Sequence, residues 1–166
     1  MRLLAVLIAF VGLPAIAADP ITGRVVSVHD GDTVRVLDAA NVQHKVRLNG
    51  IDAPERGQPF GTASRDRLAA IVMGKTVTVE NEGRDKYGRT LGRIKIEGQD
   101  VNRQMVADGL AWHYVKFNND PRLAAAERQA RVTGKGLWAD KAPVPPWEWR
   151  ASERDQKATK RVPARR

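Results

Sequence analysis

Apolar and polar residues alternate through Ile21–Val28, Thr33–Leu37 and Val42–Leu48, and turn-forming residues separate the three runs. A period of two puts successive side chains on opposite faces of a strand, so these runs read as strands with one buried face. Asp30-Gly31 and Asp38 to Asn41 supply the turns between them. Helical spacing follows over Phe60–Met73, with Phe60, Leu68, Ile71 and Val72 as apolar positions and Gly74 as the stop. Thr76–Glu80 and Thr90–Ile96 return to the strand pattern across a polar turn, Asn81–Gly88. Two more helices are expected: Val101–Asp108, ending at Gly109, and Pro121–Val132, with Asp120 as N-cap, Pro121 at the first position and Gly134 after the end. Three strands, a helix, two strands and then helices imply an α+β fold: a five-stranded β-barrel, most simply an OB-fold, with about three α-helices.

The ends of the chain differ from this middle. Arg2, the apolar run Leu3–Leu13, Pro14 and the triplet Ala15-Ile16-Ala17 read as a signal peptide over residues 1–17, cleaved after Ala17. The run falls short of the roughly 20 apolar residues that a bilayer span needs. The expected organisation is thus a folded domain over 18–140, a Pro/Trp-rich linker over 141–150 and a basic, disordered tail over 151–166. The mature protein is expected in the periplasm or the medium, as a monomer off the membrane with no stable protein partner. Cysteine is absent, which excludes disulfides, thiolate metal sites and a cysteine nucleophile. The net charge is +9, and seven bases against two acids lie between Arg150 and Arg166. A basic balance favours polyanionic partners such as nucleic acid.

Three clusters carry chemistry. His29-Asp30-Gly31-Asp32-Thr33 lies at a tight connection between strands. Arg47-Leu48-Asn49-Gly50-Ile51-Asp52-Ala53-Pro54-Glu55-Arg56 follows a strand out into a loop. Both place carboxylates at strand ends, where side chains converge on one rim of a barrel. Oxygen donors without cysteine or clustered histidine suit a hard cation, calcium or magnesium. Taken alone, Asp30-Gly31-Asp32 is an ordinary hairpin turn and Asp52 to Glu55 an ordinary loop; the spacing is not that of an EF-hand. The third cluster, Arg84-Asp85-Lys86-Tyr87-Gly88-Arg89, is either a solvated turn or a phosphate-binding loop, with Arg89 as a planar fork and Lys86 as a point charge. His29, His44 and His113 have no ligand spacing and read as structural or surface residues; Trp112 and Trp138 read as core.

In order and spacing, Val28 to Thr33, Arg47 with Asp52-Ala53-Pro54-Glu55, and Asp85 to Arg89 resemble the staphylococcal nuclease family, with a weaker match at Gly109-Leu110-Ala111 and Asn118-Asn119. The likeness spans roughly Val25 to Trp138. It implies a calcium-dependent nuclease that hydrolyses DNA and RNA with little sequence preference, cutting the 5′ P–O bond to leave 3′-phosphates; with the signal peptide, the expectation is an exported enzyme. It implies Asp32 and Asp52 as carboxylate ligands of one calcium ion (Ca2+), the Ala53 carbonyl as a further ligand, and Asp30 in the outer sphere. Glu55 would orient or deprotonate water, and Arg47 and Arg89 would bind the scissile phosphate. Lys86 and Tyr87 would hold a neighbouring phosphate, and Tyr114 would flank a base. Departures are Ala53 where the family type has threonine, a shorter loop at Gly57-Gln58-Pro59, and a single tyrosine, Tyr114, where the type has two. The competing expectation is a non-catalytic nucleic-acid-binding barrel, which would lack at least one of these residues.

Overall fold

A computed structural model describes residues 19–160; the expected signal peptide and the last residues of the expected tail lie outside them. Strands β1 (Ile21–Asp30), β2 (Thr33–Asp38) and β3 (Gln43–Leu48) form an antiparallel meander, joined through short turns. The two-residue strand β4 (Ile51–Asp52) and helix α1 (Gly61–Val72) come next. Strand β5 (Thr76–Arg84) pairs antiparallel with β1, and β6 (Thr90–Ile96) antiparallel with β5. Strand β6 then runs parallel to β3, with Val46 opposite Thr90 and Leu48 opposite Gly92, and this pairing closes a five-stranded barrel. Closure leaves no unpaired edge among the five. Short β7 (Gln99–Asp100) leads into α2 (Val101–Ala107), and β8 (Trp112–His113) pairs antiparallel with β4. Helix α3 (Pro121–Val132), a 3-10 turn over Gly136–Ala139, and α4 (Pro146–Lys160) complete the chain.

The alternation explains the core. Val34 and Val36 on β2 and Val46 and Leu48 on β3 are fully buried, as are Val25, Val79 and Ile94 on the facing strands. Leu68 and Val72 of α1 and Met105 and Val106 of α2 plug the barrel. Each such side chain contributes about 1.5–3 kcal/mol by leaving water. The expected caps form as well: the Asp120 carboxylate accepts the Arg122 N–H (2.8 Å), and Pro121 opens α3.

Two expectations are corrected. The turn expected at Asn81–Gly88 begins later, because β5 runs on to Arg84. An irregularity between Asn81 and Gly83, where the Asn81 side chain accepts the Gly83 N–H (3.1 Å), lets the strand continue through polar residues. The helices number four among the described residues, where about three were expected. The segment read as a linker and disordered tail is helical from Pro146 to Lys160. Proline is compatible with a first helical turn, where its missing N–H has no partner to lose. The aromatic residues behind it pack on the domain.

Candidate active site

Strand β2 and the turn before it deliver the first acids. The Asp30 carboxylate accepts the Asp32 backbone N–H (3.0 Å), which fixes the turn. Gly31 is required by close approach: a Cβ there would run into Ser64 of α1 and the Ala53 side chain. Asp32 in turn accepts the Thr33 hydroxyl (3.0 Å) and the Ala53 N–H (2.8 Å), so it pins the loop carrying Asp52 and Ala53 beside the turn. Strand β4 holds that loop from the other side, through Asp52 opposite Trp112.

Arg47 lies on β3 between the buried Val46 and Leu48, so its side chain leaves by the opposite face. There it forms ion pairs with Asp32 and Asp52, the latter at 2.8 Å. Burial works against its charge, but Asp32, Asp52 and Asp30 together hold its pKa above the ordinary value. Burial pushes Asp52 up, against the opposing pull of Arg150 and Arg47. Burial, together with the neighbouring Asp32, pushes Asp30 up to about 7. Asp30, Asp32 and Asp52 thus share this rim around the Arg47 guanidinium.

Glu55 follows in a compact loop. The Gln58 N–H donates to the Glu55 carbonyl (2.9 Å), and the Gln58 side chain accepts the Glu55 N–H (3.1 Å). Buried Gln58 therefore acts as the brace of the short loop noted in the sequence. The opposite wall is the β5–β6 turn. Asp85 accepts the N–H groups of Tyr87 (2.9 Å) and Arg89 (3.0 Å) and pairs with the Arg89 Nε (2.6 Å). Burial raises the Asp85 pKa, but the bonds from Arg89 and Tyr87 outweigh it and hold the carboxyl below its ordinary value. Lys86 Nζ and the Arg89 guanidinium stand 5.1 and 5.6 Å from the exposed Tyr87 ring.

These parts enclose one cleft of about 850 Å³. Asp30, Asp32, Arg47, Asp52, Ala53, Glu55, Lys86, Tyr87, Arg89 and Tyr114 all line it, so the structure gathers every residue singled out in the sequence into one place. The histidines stand apart. His44 pairs with Asp38 (2.7 Å), His113 is buried behind the cleft, and His29 is exposed. Trp112 and Trp138 are buried and meet edge to face at 4.4 Å.

One residue that the sequence reading assigned to a linker enters the cleft. Arg150 of α4 donates to Asp52 Oδ2 and Glu55 Oε1, each at 2.7 Å, and to Asp52 Oδ1 at 3.2 Å. Its neighbour Trp147 lies flat on Tyr114, with ring centroids 5.1 Å apart and planes 3° from parallel. Phe117 meets Tyr114 edge-on at 4.8 Å. The sequence held a signal for this: two tryptophans beside Arg150 are unlike a solvated tail.

The donor chemistry fits a hard cation, since Asp32, Asp52 and the Ala53 carbonyl offer oxygen only. Among the described residues, no three acids or histidines converge into a finished metal cage. Asp32 and Asp52 are engaged by arginines instead.

The chain resembles known nucleases. Residues 45–140 match the profile of the family described as staphylococcal nuclease homologue. An uncharacterized endonuclease of Escherichia coli is 48% identical over 138 residues, covering 82% of this chain and 89% of that protein. An uncharacterized endonuclease of Haemophilus influenzae is 40% identical over 152 residues, covering 92% and 85%. The staphylococcal-like nuclease CAN1 of Arabidopsis thaliana is 43% identical over 110 residues, 66% of this chain and 34% of that longer protein.

Proposed function

This chain belongs to the staphylococcal nuclease family and is a phosphodiester-cleaving hydrolase, and from that premise we propose that it is an exported, calcium-dependent enzyme that cuts DNA and RNA with little regard for sequence. The carrying observation is that acids and arginines from three separate segments, Asp32, Arg47 with Asp52 and Glu55, and Arg89, line one open cleft.

Hydrolysis adds negative charge to the phosphoryl oxygens and needs a water in line with the leaving oxygen. Arg47 and Arg89 present planar forks to that charge, and losing one such donor costs on the order of 100- to 1000-fold in rate. Glu55 accepts the proton of the attacking water, a contribution of about 100- to 10,000-fold. The water oxygen bonds to phosphorus, the 5′ P–O bond breaks, and the 5′ oxygen leaves as a hydroxyl with a proton from solvent. The product end is a 3′-phosphate. Asp32, Asp52 and the Ala53 carbonyl would hold calcium, with Asp30 behind them; a bound calcium supplies Lewis-acid polarisation and charge neutralisation at the phosphate. Lys86 and Tyr87 hold a neighbouring phosphate, and Tyr114 flanks a base. Such phosphate-centred binding carries no sequence readout. Calcium availability outside the cytoplasm, at about 0.1–1 mM for sites of this strength, suits an exported enzyme.

The test uses the chain from Ala18 and its Glu55→Gln variant on single-stranded DNA with calcium, magnesium or chelator. Calcium-dependent cleavage that falls at least 100-fold in the variant supports the reading. Equal rates with magnesium, or an undiminished variant, would overturn the site assignment.

A further inference from the structure

Arg150 is held at the acids by construction. Pro146, the first residue of α4, is buried. Just before it, the Val144 carbonyl accepts the Gln58 side-chain N–H at 2.6 Å. Trp147 packs flat on Tyr114 and edge-on against Trp112, with 5.6 Å between the latter centroids. Trp149 shares a small cavity with Pro54, Gln58 and Phe60. These contacts fix the first turn of α4, so its guanidinium reaches the cleft without any loop having to close. Exposed ion pairs contribute little, but Asp52 is only 1% exposed here and is gripped through both oxygens. Arg47 and Arg150 share Oδ1 of that carboxylate, and Arg150 also takes Oδ2.

The same guanidinium is within side-chain reach of whatever anion enters the cleft. On the reading given under Proposed function, Asp52 would be a ligand of a divalent cation, and Arg150 would then lose that carboxylate as its partner. The phosphate oxygens of a bound substrate are the anions left for its planar fork. Only a rotamer change is needed, because the helix itself stays anchored. We propose that Arg150 is a third phosphate-binding arginine of this nuclease site, supplied by α4 and resting on Asp52 and Glu55 until nucleic acid binds. The C-terminal segment is on this view part of the active site. Its occupant is the phosphodiester backbone of the substrate.

The experiment compares the full chain with Arg150→Ala, Arg150→Lys and Arg150→Gln, each first checked by thermal unfolding. Binding is read by fluorescence anisotropy with a labelled, cleavage-resistant phosphorothioate oligonucleotide in calcium. Turnover is read on single-stranded DNA. A charge-assisted bidentate contact predicts a roughly ten- to hundredfold rise in Kd and a comparable or larger fall in kcat/KM for the alanine variant. Lysine should recover part of the binding as a point charge, and glutamine none. Millimolar guanidinium should restore part of kcat/KM to the alanine variant and leave the native enzyme unchanged, which a purely structural role would not produce. Unchanged Kd and kcat/KM in a folded variant overturn the proposal. So does a variant that cleaves faster or needs less calcium, because Arg150 would then be an inhibitory cation competing for Asp52. Failure of the native chain to cleave under any condition would sink the nuclease reading instead, and the oligonucleotide Kd values would still decide the role of Arg150.

Discussion

Arg47 and Arg89 serve the same proposed purpose with different partners. Arg47 is 13% exposed and neutralises Asp32 and Asp52, whereas Arg89 is 25% exposed and pairs with a single acid, the half-buried Asp85, at the β5–β6 turn. Breaking a buried pair leaves an uncompensated charge, which costs about 3–5 kcal/mol; losing the Arg89 pair costs less, because Asp85 keeps the backbone N–H groups of Tyr87 and Arg89. Arg47→Ala should therefore lower both stability and activity, and Arg89→Ala activity almost alone. Urea unfolding in chelator, set beside single-turnover cleavage, separates the two; equal stability losses would contradict the burial argument. Asp30 supplies a pH signature. Its folded pKa of about 7 lies above the ordinary 3.8, so the folded state holds the proton more tightly than the unfolded state. Stability is then present at low pH and is lost as the pH rises from about 4 through about 7. In chelator, Asp30→Asn should be more stable than the native chain at pH 8, and the gain should shrink towards pH 4. A gain independent of pH would show that ionisation of Asp30 is not the cause.

At the scale of elements, the acid-bearing turn between β1 and β2 is seated against α1. Ser64 is fully buried and donates its hydroxyl to the Leu110 carbonyl at 2.6 Å, so it cannot move aside freely for a Cβ at Gly31. Gly31→Ala should cost about 1–3 kcal/mol as an overpacking substitution. It should also lower kcat, because the same turn positions Asp30 and Asp32. Denaturation midpoints and initial rates would check both, and an intact midpoint would show that α1 yields more easily than its packing implies. The barrel strands, α1, α2 and α3 were legible in the sequence because each announces itself locally, by a period of two, a period near 3.6, or a cap such as Asp120-Pro121. The end of β5 was not, because polar rim residues carry no period and their strand geometry is imposed by pairing with β6. Helix α4 was missed although Pro146 at its start and Glu148 in its first turn are local cues, because the prolines before it and the polar residues after it read as linker and tail. What seats its first turn is packing of Trp147 and Trp149 on a distant surface.

At the scale of the molecule, the sequence after Ser152 carries six bases, Arg154, Lys157, Lys160, Arg161, Arg165 and Arg166, against two acids, Glu153 and Asp155, with Arg154 and Lys157 exposed on the later turns of α4. Each phosphate contact on single-stranded nucleic acid adds about 0.7 to the slope of log affinity against log salt. A chain ending at Ser152 keeps Arg150 but loses these charges, and its affinity for single-stranded DNA should depend less steeply on salt. Equal slopes would remove the segment after Ser152 from the binding surface. By itself the sequence determined the alternation that makes a barrel, the helices that announce their own caps, and three motifs whose order and spacing point to phosphodiester chemistry. These are local properties, written in short windows of residue type. Only the tertiary structure decided that the three motifs share one cleft, that Gln58 braces the short loop, and that Arg150 bonds to Asp52 across a separation of 98 residues. Such placements arise from closure of the barrel and from docking of α4, where the energy lies in contacts between distant segments that no local pattern encodes.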